Sequence, residues 1–282
     1  MMKKILCGIL ACMFLFTGMS ALAAPESVEG FNVPIDIMLN GDFIACTQKP
    51  FVENGTTYIP LRALSEAISA TLSWNETEKC AQMQKDGNAF LFYTDGRNSV
   101  LNGKTLENSA GKLYNNLTFV PVKAVCAPLG YAVEWDGFYL IVRITAENVT
   151  VPDACKDFSY TQDDLLWLSR LVQIECGNES LATGIGVANT VLNRIASPAY
   201  PNTIREAILD TKHGVQYPPA HTEKMNCTPS KGSMIATKCA LNGINLVGNA
   251  VAFVHVNALK SSWAANNMRR SATIGVVAFY EF

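Results

Sequence analysis

The sequence is poor in metal ligands, in charge of either sign and in long apolar runs. Its 282 residues include three histidines, His213, His221 and His255, so no imidazole stands anywhere before Lys212. Copper and catalytic zinc both draw on imidazole, and the first half offers none. No Cys-x-x-Cys pair occurs among the nine cysteines, and no His-x-x-Glu or His-Glu-x-x-His surrounds the histidines. A zinc knuckle and a zinc amidase centre are therefore not expected, and neither a metal nor another cofactor is assigned. The 22 basic residues less Lys3 and Lys4 leave 20 against 24 acidic ones. A mildly acidic chain argues against nucleic acid or an anionic membrane surface as a partner. After the first 23 residues no stretch is long and apolar enough to span a bilayer.

Those first 23 residues carry an export signal. Lys3 and Lys4 form a positive start, Ile5 to Phe16 an apolar core, and Ala21-Leu22-Ala23 a small-residue cleavage site. Lipoprotein processing at Cys12, in Ile-Leu-Ala-Cys, is disfavoured because the apolar run continues through Met13-Phe14-Leu15-Phe16. The expected mature chain begins near Ala24, keeps no membrane attachment, and is secreted or wall-associated. It retains Cys46, Cys80, Cys126, Cys155, Cys176, Cys227 and Cys239. An oxidising compartment permits one or two disulfides among them, and the scattered spacing does not choose the pairs.

Residues 34–145 repeat a unit. Tyr58-Ile-Pro-Leu-Arg62 recurs as Phe119-Val-Pro-Val-Lys123, Trp74 recurs as Trp135 at the same offset, and Leu39-Asn-Gly41 recurs as Leu101-Asn-Gly103. Each copy reads as a turn, short strands, a proline-led short helix and a strand ending in Trp. Asn40-Gly41 and Asn54-Gly55 are hairpin-turn dipeptides. Nothing in either copy looks catalytic. Residues 146–160, with Pro152, read as a linker.

The chemistry falls in residues 161–282. Thr161 with Asp164 three residues later is a helix-start signal. Leu165, Leu168 and Val172 share one helical face, which reaches Glu175 three residues further on, and Gly177 offers a stop. A carboxyl aimed at the apolar side, in the last turn, is disfavoured in its charged form by desolvation and by the helix dipole. Both raise its pKa, as a general acid near neutral pH requires. The competing reading is an exposed Glu at a frayed helix end. A second amphipathic helix follows, with Ile185, Ala188, Leu192 and Ile195 on its apolar face. Then come a capping box at Thr203-Ile-Arg-Glu206, a Pro-rich loop from His213 to Thr228, a helix over about 230–241, and strands over 250–256 and 274–282.

Two resemblances organise these readings. Residues 34–144 resemble the copper amine oxidase N-terminal-like (stalk) domain of exported bacterial proteins. The likeness rests on Pro50-Phe-Val-Glu-Asn-Gly-Thr-Thr-Tyr-Ile-Pro-Leu-Arg-Ala-Leu-Ser-Glu-Ala67 and Leu72-Ser-Trp-Asn75. It implies a stalk or wall-associated module. From about Leu165 onward the chain resembles the SleB-like cell wall hydrolase family. The matching pieces are Leu171-Val-Gln-Ile-Glu175, Ile185-Gly-Val-Ala-Asn-Thr-Val-Leu-Asn-Arg-Ile195, Ser197-Pro-Ala-Tyr-Pro-Asn-Thr-Ile204, Gly214-Val-Gln-Tyr217 and Ser261-Ser-Trp263, then Thr273-Ile-Gly275 with Phe279-Tyr280. That resemblance implies a domain acting on peptidoglycan glycan strands, with the family's catalytic Glu falling on Glu175. The chain departs from the family pattern at Gln173, at Cys176-Gly177-Asn178, at His255-Val256 and at Val277. The fold expected is an α+β tandem repeat followed by a mainly α, lysozyme/transglycosylase-like domain with short strands.

Glycosidases ordinarily set two carboxylates across the scissile bond. Here Glu175 has the buried setting, and Glu179 lies beyond the Gly177 break. A single Glu suits a lytic transglycosylase, which leaves 1,6-anhydromuramic ends. Glu179 as a second carboxylate would imply hydrolysis instead. A non-catalytic wall- or spore-binding protein with a degenerate hydrolase domain is the reading from another class. Glu179, Asn193, Gln216, Tyr217 and Trp263 are the substrate-binding candidates. Gln216 and Tyr217 either bond and stack on sugar or pack a loop. Trp263 is either a sugar platform or core, and Asn193 and Arg194 either buttress the cleft or satisfy backbone and surface charge. His255 reads as a core or rim histidine. Cys176 as a nucleophile finds no discriminating His spacing.

Overall fold

The structure, a computed structural model, describes residues 27–177 and 179–282. The expected export signal lies outside them. Among the described residues no helix is long and apolar enough to cross a membrane.

The first half is rich in strands. A hairpin of Phe51–Glu53 and Thr56–Pro60 turns at Asn54-Gly55, both at positive φ, as its dipeptide predicts. Helix α1 (Leu61–Ala67) follows, N-capped by Pro60, and leads into strand Thr71–Asn75. The same order recurs in strand Leu117–Pro121, helix α2 (Val122–Cys126) capped by Pro121, and strand Ala132–Asp136. The strands Leu117–Pro121 and Thr56–Pro60 pair antiparallel, with Val120 opposite Ile59. A further sheet joins Ile141–Thr145 in parallel to Asp36–Leu39, with Ile141 opposite Asp36.

The second half is mostly helical. Helix α3 (Gln162–Cys176) opens with the expected capping box between Thr161 and Asp164. Its buried residues include Leu165, Leu168, Leu171 and Val172, each contributing about 1.5–3 kcal/mol when fully buried. Helix α4 (Leu181–Ile195) runs through the middle and is buried on nearly every side. Gly184 lets it approach its neighbours, since a Cβ there would stand 2.9 Å from the Ala236 Cβ. Helices α5 (Ile204–Ile208), α6 (Lys231–Leu241) and α7 (Trp263–Asn267) complete the set.

A three-stranded antiparallel sheet places Val277–Glu281 between Ala252–His255 and Arg269–Ile274. The sequence reading expected one strand over 274–282. The structure instead turns at Gly275 and makes Arg269–Ile274 an edge strand, whose two arginines and Ser271 hide it from an apolar pattern.

Residues 146–160 do not form a free linker. The Asn40 side chain donates to the carbonyls of Ala146 and Val149, Ile44 bridges to Lys156, and Tyr160 donates to Asp36 Oδ2 at 2.7 Å. The two halves are also joined through a buried charge. Lys238 of α6, fully buried, donates to Asp36 at 2.6 Å and to the carbonyls of Leu140 and Tyr139 at 2.8 and 3.0 Å. Burial opposes charge on both partners, and it pulls the Lys238 ammonium down. The attraction of Lys238 and Lys49 nonetheless brings the Asp36 carboxyl below its ordinary value. With all three of its N–H groups accepted, Lys238 is held charged. A fragment beginning near Asp157 would leave Lys238 without its carboxylate.

The seven cysteines of the described residues are all free, so the structure uses none of the open disulfide pairings.

Candidate active site

Helix α3 delivers Glu175 in its last turn. The side chain is largely buried, and its Oε1 is shut from water with no hydrogen-bond partner. Burial lifts the carboxyl to about 7, against a smaller opposing pull from the Lys224 ammonium. An orphaned buried carboxyl oxygen is uncommon in a folded protein, and it fits a site where an incoming ligand supplies the partner.

Gly177 ends the helix in a different way from the one its type suggests. Its φ of −59° is right-handed, so no left-handed cap is formed. Glycine is needed because a Cβ would collide with the Gln173 side chain. Gln173 is itself committed. Its Oε1 accepts from the Ser230 backbone N–H at 2.8 Å and from the Ser233 hydroxyl at 3.1 Å, which ties the end of α3 to the start of α6. Gln173 is thus a structural fastening two residues before Glu175.

A buried group lies behind the site. Tyr217 is 1% exposed, with its hydroxyl 3.2 Å from Thr190 Oγ1. Burial raises its hydroxyl, and the nearby Glu175 charge adds to the shift. The Arg194 guanidinium lies 5.1 Å from the ring centres of Tyr200 and Tyr217, and its Nε donates to the Val251 carbonyl at 2.7 Å. Asp210, held below its ordinary value despite burial, accepts from the Lys212 backbone and pairs with His213 at 2.6 Å. It therefore pins the loop that carries Gln216 and Tyr217.

These placements correct two of the substrate-binding expectations. Tyr217 cannot stack on a sugar because it is enclosed, and it packs the loop instead. Asn193 has no free amide hydrogen to offer, since it donates to the carbonyls of Gly248 and Ala250 at 2.8 and 2.7 Å. It buttresses that loop. The other three remain open to ligand. Gln216 donates to the His213 carbonyl at 2.9 Å, Glu179 is exposed at the start of α4, and Trp263 is 63% exposed at the start of α7. His255 is exposed, and its Nδ1 accepts from the Asn257 backbone. Lys224 was missed by the sequence reading; nothing in its Pro-rich loop signals that its charge is felt at Glu175. Among the described residues no group of three or more His, Cys, Asp or Glu side chains is placed to hold a metal ion.

The raised Glu175 carboxyl has a consequence for stability. Its folded value of about 7 exceeds the ordinary 4.5, so the folded state holds a proton that the unfolded chain releases. The cost is absent below about pH 4.5, grows as pH rises, and is complete above about pH 7. At ~1.4 kcal/mol per unit it amounts to roughly 3–4 kcal/mol. Glu175→Gln should therefore stabilise the protein at pH 8 and leave it nearly unchanged at pH 4. Equal thermal shifts at both pH values would contradict the buried, protonated carboxyl.

Comparison with known proteins gives the following. Residues 38–144 match the family model of the copper amine oxidase N-terminal domain, and residues 178–280 that of Cell Wall Hydrolase, so α3 and Glu175 stand just ahead of the second match. Over 104 residues the chain is 26% identical to a spore cortex-lytic enzyme of Bacillus cereus, covering 37% of this chain and 39% of that one. The chain thus spans about two fifths of the length of the curated relatives it matches. Two solved structures are similar at 24% identity. The catalytic domain of the Bacillus cereus SleB protein aligns with a TM-score of 0.39, over 43% of this chain and 92% of that one. The catalytic domain of the germination-specific lytic transglycosylase SleB from Bacillus anthracis aligns with a TM-score of 0.40, over 46% and 100%.

Proposed function

We propose that the protein is an exported peptidoglycan-lytic enzyme. Its C-terminal half cleaves the glycan strand between N-acetylmuramic acid and N-acetylglucosamine, as a lytic transglycosylase. The observation that carries this reading is the Glu175 carboxyl, largely buried, with its Oε1 unpartnered and its pKa lifted to about 7. The Cell Wall Hydrolase match and the spore cortex-lytic relatives support peptidoglycan as the substrate. The repeated strand–helix order around Pro60 and Pro121 supports reading the first half as two copies of one unit.

In the proposed reaction, protonated Glu175 gives its proton to the glycosidic oxygen as that bond breaks. The resulting carboxylate then takes the proton of the muramic acid C6 hydroxyl, and O6 closes on C1. One group serves both steps, and no water enters. The Lys224 ammonium favours the carboxylate formed midway. Hydrolysis with Glu179 is the second reading, and one observation favours it. Glu175 and Glu179 both lie within charge range of the Cys176 thiol, so the two carboxyls share a neighbourhood.

Release of soluble fragments from purified dye-labelled peptidoglycan tests the activity. The rate should hold at pH 5–6 and fall about tenfold per unit above about pH 7, as Glu175 loses its proton. Binding to the wall without release of fragments would favour the non-catalytic alternative. A rate that climbs steadily through pH 8 would contradict Glu175 as the acid.

A further inference from the structure

A groove of about 700 Å³ opens in the first half, lined by none of the residues around Glu175. That volume suits a small organic ligand or a short oligosaccharide. One wall is a sheet face: Val133 and Trp135, two residues apart on Ala132–Asp136, with Val142 opposite Trp135 on the neighbouring strand. Helix α2 and the turn at Gly55 form the other sides, and Thr56, Thr57, Lys123 and Asn108 bring polar groups to the rim.

Three features narrow the ligand. A wall made from a sheet face presents side chains, because the N–H and C=O groups of strands point along the sheet rather than out of it. Main-chain pairing with an extended peptide is therefore not what this wall offers. The Trp135 indole is kept clear on one side by Gly137, where a Cβ would stand 3.2 Å from Nε1. A flat, half-buried indole complements the C–H face of a sugar ring, and hydroxyl and amide side chains complement its hydroxyl and acetamido groups. Finally, Lys123 is balanced by Glu107 and Glu134, so no cationic cluster awaits a polyanion.

We propose that this groove binds a short stretch of uncharged N-acetylated glycan, as an anchoring site separate from the cleavage cleft. The choice of glycan rests on the peptidoglycan reading above. The site would hold the enzyme on its polymer between cleavage events.

The test uses the full chain carrying Glu175→Gln, with the soluble tetramer of N-acetylglucosamine as probe and a free stem tetrapeptide as a separate arm. The chain has four tryptophans, Trp74, Trp135, Trp167 and Trp263, whose indole N–H signals are assigned by single Trp→Phe exchanges. The Trp135 signal should move saturably with the tetramer and stay still with the peptide. Ala124→Arg, which fills the groove from α2 and leaves the indole in place, should abolish that response. In an otherwise wild-type chain it should weaken retention on insoluble peptidoglycan about tenfold while sparing cleavage of soluble glycan. A motionless Trp135 signal at millimolar tetramer, a response to the peptide alone, or movement confined to Trp263 would each overturn the proposal. Loss of the lytic reading would leave the Trp135 response intact, so the two failures are distinguishable.

Discussion

Glu175→Gln is expected to lower glycan cleavage by ~10²–10⁴-fold, toward the upper end, because one group serves as both acid and base. The amide keeps the shape and the reach of the carboxyl but delivers no proton. Folding should survive, since a neutral isostere avoids burying a charge at a largely enclosed position. Glu179→Gln should reduce the rate far less, because Glu179 is exposed and the one-Glu mechanism asks nothing of it. Initial rates of fragment release, with circular dichroism to confirm the fold, measure both. Comparable losses in the two variants would mean that both carboxyls take part. Full activity in Glu175→Gln would remove the basis of the functional reading.

Lys238→Met should cost about 3–5 kcal/mol of stability, the usual penalty for stranding one member of a buried pair. The Asp36 carboxyl would keep Lys49 at 3.4 Å and the Tyr160 hydroxyl at 2.7 Å, but it would lose its closest positive charge. Replacing both partners, Lys238→Met with Asp36→Leu, should recover much of the loss, since no unpaired charge is then buried. Urea unfolding of the full chain, followed by fluorescence and circular dichroism together, reads the effect. A single shared transition is expected, because the pair couples α6 to the sheet of the first half. A loss within about 0.5 kcal/mol, or two separate transitions in the unaltered chain, would show that the halves do not stabilise each other.

The contrast between these two residues shows what a sequence pattern carries. Glu175 was legible because its neighbours at helical spacing are local: Leu168 and Val172 define a face, and the face predicts where the carboxyl is aimed. The capping box at Thr161 and the turn at Asn54-Gly55 are equally local, and both formed as expected. Lys238 left a weaker trace, a charge inside the apolar run Met234-Ile-Ala-Thr-Lys-Cys239. Its partner stands some two hundred residues earlier, and no periodicity links them. Tyr217 and Asn193 stayed open between two readings for a related reason. A tyrosine or an asparagine can face ligand or protein with the same neighbours in sequence, and the choice was made by Thr190, Arg194 and the 248–250 backbone. The packing of residues 146–160 was hidden too, since loop composition says nothing about whether a loop is fastened.

The most direct test of the central claim is mass analysis of the glycan fragments that the unaltered protein releases from purified peptidoglycan. Single-Glu chemistry predicts fragments ending in 1,6-anhydromuramic acid, each lighter by one water than the hydrolytic product. Fragments with ordinary reducing ends, or none at all, would contradict it.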